Sequence, residues 1–375
     1  MMPLHSRPRF PVEPAAKPAA PPGVRVLWDA ETGRELWQVT DRAGINHHPY
    51  FYSQAWSADE RFFAYGVGDE TRLQLCVLDL VTGEHRQLTD EDLVNTTAAT
   101  FGPRGHEIFF VVNNRVDAID AGSGARRVVC DFSGRCAASI QHTRPVFTAD
   151  GSRMVFYYQS RRKKPVVAWV DPRVGGGPIE AGEFGELDSV RHVLVNPHDP
   201  DFVTFVPFPD RQECLELGPR ERARCWHLDL RTGETRPYLV MPEGHRATHE
   251  FWDARGERMY FFKKSVPDWI PVSLCSMAKA GGAFTTHYTS TTSRLGHAML
   301  DPRGRRAVMD NQAPGRNELR LVDLGSGRDE ILCWPNASGR GHPRHVHPLF
   351  SPSGRHVAYA SDASGDTHVF IVPLP

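Results

Sequence analysis

Apolar residues in this chain come in short runs rather than helical stripes. FFAYGV, LQLCVL, EIFFVV, MVFYY, FVTFV, RMYFF and HVAYA are five or six residues long and rich in β-branched and aromatic side chains. Gly, Pro, Asp or Ser flank most of them. Runs of that length, bounded by turn formers, predict strands, and helical periodicity is nearly absent. A second signal lies between the runs, a hairpin written Asp-x-x-(Thr/Ser)-Gly.

The two signals combine into a repeating unit: strand, tight turn, second strand, hairpin. Seven copies follow one another, opening with FYSQAWSADERFFAYGV, ATFGPRGHEIFFVV, RPVFTADGSRMVFYY, VLVNPHDPDFVTFV, HEFWDARGERMYFF, HAMLDPRGRRAVMD and PLFSPSGRHVAYASD. Their first turns fall near Asp59, Pro103, Asp150, Pro197, Arg255, Pro302 and Pro352. The spacing, roughly 50 residues, is that of one four-stranded propeller blade. The expected fold is all-β, a seven-bladed β-propeller. VRVLWDAETGRELWQVT, residues 24–40, has the hairpin without an inner strand, and the last unit lacks an outer strand. The two are expected to complete blade seven together, which removes an open sheet edge. Residues 1–23, rich in Pro and Ala, read as a disordered arm. Residues 24–375 read as one propeller domain.

Composition narrows the function. A formal net charge of −1 over 375 residues gives no global field for nucleic acid or an anionic membrane. No apolar run approaches the roughly 20 residues of a membrane helix. The seven cysteines are odd in number and lack CxxC spacing, and the N-terminus has no apolar leader core. Together these point to a cytoplasmic protein with free thiols.

Eight of the 18 histidines share a phase. His47 and His48, His142, His192, His249, His297, and His345 with His347 each precede the first turn of a unit. They therefore open the inner strands, whose equivalent ends converge on one face of a propeller. A polar, His-rich cup is expected there, with His47 and His192 among its substrate contacts. His345 and His347 lie two apart, about 7 Å along an extended strand and on one face, so they can share a transition metal. The basic run from Arg161 to Lys164 reads as a solvated hairpin or as a rim that attracts an anion, with Arg161 as the contact.

HHPYFY at 47–52, ARCW at 223–226, THEFW at 248–252, the Gly-His before Met-x-x-Asp at 296–301 and HVHPLFSPSGRHVAYASD at 345–362 resemble the oligogalacturonate lyases, bacterial seven-bladed propellers. The resemblance covers nearly the whole chain after residue 24. It implies one divalent metal, manganese first, held by His297, His345 and His347 and by the position of His342. The family has Gln at that last position. An imidazole there is a softer donor and admits zinc, iron or nickel. The resemblance further implies His249 as base and Arg224 as its helper. Pro207–Arg222 departs from the family pattern and leads into Arg224.

Such an enzyme removes the C5 proton of a 4-linked uronate, α to a carboxylate, and expels the C4 oxygen. A neutral histidine can accept that proton. Arg224 is suited to a bidentate carboxylate contact. Asp301, Asp310 and Glu250 are candidates for orienting an imidazole. The expected partner is a short uronate oligosaccharide. Two other readings stay open at this stage: a lyase for a different uronate polymer, and a non-catalytic propeller that binds a glycan or protein.

Overall fold

The computed structural model describes residues 18–136, 143–313, 317–341 and 343–375. These form 29 strands in seven antiparallel sheets, and no helix occurs among them. Residues 1–17, the greater part of the expected N-terminal arm, lie outside the described residues, as do His142 and His342.

Six sheets have four strands in sequence order: blade one at 45–87, blade two at 94–131, blade three at 146–183, blade four at 189–239, blade five at 245–290 and blade six at 295–333. Blade seven closes the ring with five. Leu349–Phe350, His356–Ser361 and His368–Pro373 come from the C-terminus, and Glu35–Gln38 and Arg25–Trp28 from the N-terminus. Trp37 pairs with Ile371 across the join. The expected closure is present, and the N-terminal hairpin supplies two strands of the sheet.

The core explains why the strands read as continuous apolar runs. Among the described residues there are seven buried clusters, one at each junction between neighbouring blades. Along Phe62–Gly68 in blade one, Phe62 and Ala64 face blade two, while Phe63, Tyr65 and Val67 face blade seven. A sheet covered on both sides needs apolar residues at both phases of the pleat. The Asp-x-x-(Thr/Ser)-Gly hairpins also behave as their chemistry requires. Asp79 Oδ1 accepts from the amides of Val81 and Thr82, and Gly83 closes the turn at φ 77°.

Candidate metal and proton-transfer site

Four blades present their histidines through local irregularities of the backbone. In the inner strands of blades four, five and six the register slips at the histidine: between Arg191 and Leu194, Thr248 and Phe251, and Leu295 and Ala298. An extra residue in a strand forms a β-bulge, which bends the strand and re-aims a side chain. His192, His249 and His347 adopt φ of 45°, 57° and 46°, a left-handed conformation uncommon outside glycine. Such local strain persists only when the surroundings hold it, and it gathers at functional sites.

His297, His345 and His347 each offer a ring nitrogen within 4.8 Å of the others. His297 is fixed by Asp310. Its Nδ1 lies 2.8 Å from Asp310 Oδ2, and its main-chain N–H donates to Oδ1 at 2.6 Å. With Nδ1 donating to the carboxylate, the other ring nitrogen is the one left as a ligand. The amide of His347 donates to the same Oδ2 at 3.3 Å, so one carboxylate ties blades six and seven together. Burial alone would raise the pKa of Asp310. The His297 imidazole and its hydrogen bonds overcome this and hold it below the ordinary value. Gly296 leaves room for a neighbour, since a Cβ there would fall 2.1 Å from Cδ of Gln312. Three convergent imidazoles with a carboxylate behind one of them suit a transition metal. Asp310 is the orienting carboxylate; Asp301 sits in the turn at the far end of the blade-six inner strand.

His249 packs on this cluster, its ring centroid 4.2 Å from that of His297. Burial, then His297 and Lys264, drives its pKa well below 6.5, so the ring is neutral near pH 7. Its Nδ1 is buried and has no hydrogen-bond partner among the described residues. His192 is also held neutral by burial. Its Nδ1 lies 3.3 Å from Glu250, and its Nε2 lies 3.4 Å from the Tyr50 hydroxyl.

Arg224 reaches the cup by a different route from the one expected. Its Nε and one terminal nitrogen donate to the two oxygens of Glu250 at 2.7 and 3.1 Å. Its other terminal nitrogen donates to Asp210 at 3.0 Å. Glu250 is fully buried, yet its pKa falls to about 2, because Arg224 and His192 outweigh the cost of burial. The bidentate carboxylate expected for Arg224 is therefore Glu250, a residue of the chain.

Asp210 belongs to the unusual Pro207–Arg222 segment, which follows the second strand of blade four. That segment grips blade five: Gln212 accepts from the amide of Ala247 at 2.8 Å and donates to its carbonyl at 3.1 Å. Asp210 also accepts from Arg246 at 3.0 Å.

His47 lines a small void together with His345 and His347. It is buried, and burial lowers its pKa to about 4. Its Nδ1 lies 2.8 Å from the carbonyl of His48 and its Nε2 2.8 Å from the Thr96 hydroxyl, so both ring nitrogens are used within the protein. Arg161 is exposed in the hairpin between the second and third strands of blade three, and no polar side-chain contact joins it to the cup among the described residues.

The sequence reading passed over the residues that floor the cup. Pro49–Ser53 crosses from blade one over the channel mouth. The Tyr50 ring sits 4.8 Å from His347, and the Phe51 ring 5.3 Å from His297 and 5.9 Å from His249. The guanidinium of Arg144, from blade three, stands 4.1 Å over the Tyr50 ring. On the other side of Phe51 a separate cavity of about 500 Å³, lined mostly by apolar groups, occupies the opposite end of the channel. Hence Phe51 stands between the histidine cluster and that cavity.

No protein-family model matches the chain. Two curated relatives do, each at 23% identity across 92% of this chain and 95% of their own length. They are the oligogalacturonide lyase of Pectobacterium atrosepticum and the oligogalacturonate lyase of Dickeya dadantii. Among solved structures, an oligogalacturonate lyase in complex with manganese superposes with a TM-score of 0.79, over 94% of this chain and 96% of its own, at 19% identity. The oligogalacturonate lyase of Vibrio parahaemolyticus gives 0.77, at 18% identity, over 94% and 97%. The chain is thus similar to oligogalacturonate lyases along nearly its full length, and it shares their propeller fold.

Proposed function

We propose that this protein is a metal-dependent lyase that cleaves short oligogalacturonides by β-elimination, leaving a 4,5-unsaturated uronate. One observation carries the reading: a neutral, open-sided His249 packed against the cluster of His297, His345 and His347. His297, His345 and His347 would hold the ion, with manganese the first choice. A divalent cation bound there supplies a Lewis acid that offsets the charge developing on the substrate carboxylate.

The chain's own residues do the rest. His249 takes the C5 proton, the C5–H electrons form the C4–C5 double bond, and the C4–O bond breaks towards the departing sugar, whose oxygen gains a proton. The bulge at His249 aims the ring, and the Arg224–Glu250 pair fixes the strand that carries it. Phe51 stands between the histidine cluster and the apolar cavity, and on this reading a chain end fits better than the middle of a polymer. No helix among the described residues is long and apolar enough to cross a membrane. The seven free cysteines suit the reducing cytoplasm proposed as its location.

The test is to incubate manganese-loaded protein with di- or trigalacturonate. A rise in ultraviolet absorbance from the conjugated product, stopped by a chelator, is expected. Flat absorbance with every uronate oligomer, in folded and metal-loaded protein, rejects the reading.

A further inference from the structure

Lys264 is a buried cation without a counter-ion. It lies on the second strand of blade five, Arg258–Ser265, opposite Arg246, and only 3% of its surface is exposed. Among the described residues no carboxylate comes within 4 Å of its ammonium. The Trp269 ring lies 4.8 Å from its Nζ. Lysine is almost never fully buried unless paired. Holding an ammonium on so buried a side chain with no carboxylate beside it costs free energy, so a chain that keeps one there is holding it for a use.

The other cations around it are already offset. Arg224 carries Glu250 and Asp210, and Arg246 carries Asp210 and Glu213. Thr248, the residue before His249, pairs with Phe262, two residues along the same strand from Lys264, which sets Lys264 on the strand next to the one that carries the proposed base. Its face of the strand is shared with Tyr260 and Phe262, which pack towards blade six, the blade of His297.

Resting on the lyase reading above, we infer that Lys264 is the residue that recognises a carboxylate of the uronate substrate, next to His249. It completes a buried ion pair only when an acidic sugar enters. A neutral sugar would leave the charge stranded, so the residue selects acidic over neutral ligands. The groups bearing on its charge are Asp310 from blade six, Arg224 and Glu250, and Arg246 opposite. Burial and the two arginines bring its pKa down to about 8 against the pull of the two carboxylates.

The test uses galacturonate, a monosaccharide with no bond to cleave, so it does not depend on turnover. Its affinity for the metal-loaded wild type and for Lys264→Met is measured by calorimetry, with galactose as the neutral control. Methionine keeps the length of the side chain and removes the charge. Galacturonate affinity should fall about ten- to a hundredfold in Lys264→Met, the loss expected for a charged hydrogen bond. Galactose binding should not change. Wild-type affinity should decline above about pH 8, and this decline should vanish in the variant. Thermal stability should hold or rise, because a lone buried charge is gone; a purely structural lysine would lower it. Equal galacturonate affinity in the two proteins, or no binding to the wild type, overturns the inference. Failure to produce unsaturated product leaves this binding result standing and rejects only the lyase reading.

Discussion

Asp310 accepts two hydrogen bonds from His297 alone, one from the ring at 2.8 Å and one from the main chain at 2.6 Å. An asparagine has only one oxygen and cannot take both. Asp310→Asn should therefore loosen His297 and weaken metal binding by about 10- to 100-fold, the usual effect of losing an orienting partner. Titration of the purified variant with manganese, followed by calorimetry, measures the change.

Ligand and base can be separated by two substitutions. His345→Ala should lose metal binding while the propeller stays folded, read as metal per chain by elemental analysis. His249→Ala should keep the metal and lose about 10²–10⁴ in kcat, the range for removing a general base. If His249→Ala turned over at the wild-type rate, the base would lie elsewhere.

Much of this architecture could be read in the sequence, for a physical reason. Each blade spends its turn residues where the chain must reverse, so Asp59, Asp150 or Pro352 marks a blade without knowledge of its neighbours. The N-terminal hairpin of blade seven was legible too, because Arg25–Trp28 pairs locally with Glu35–Gln38. The phase of the histidines was legible, but the bulges that aim them were not, since register depends on the partner strand. His47 shows the limit: it shares the phase, yet its partners Thr96 and the His48 carbonyl take both its ring nitrogens. Glu250 and Asp210 reach Arg224 from a different blade and a loop, beyond any local pattern. Lys264 left one faint signal: in Phe-Phe-Lys-Lys the alternation of a strand requires one of the two lysines to face inward.

The Arg224–Glu250 pair should matter for stability as well as for activity. Glu250→Gln leaves Arg224 buried with only Asp210, and breaking a buried pair typically costs about 3–5 kcal/mol. Denaturant unfolding of the variant reads this directly.

The same pair sets a dependence on acid. The folded pKa of Glu250, about 2, lies below its unfolded value of 4.5. Its contribution is present in full above the unfolded value and is lost as pH falls through the folded one. Wild-type stability should drop between about pH 4.5 and pH 2 more steeply than that of Glu250→Gln. Parallel curves for the two proteins would show that the pair carries no such linkage.

Mass spectrometry of the products from trigalacturonate bears most directly on the central claim. Elimination adds no water, so one fragment should be lighter than the corresponding hydrolysis product by one water, and it should form with the manganese-loaded wild type and not with His249→Ala. Fragments that each carry the full mass of a hydrolysed uronate, or equal product from both proteins, would contradict it.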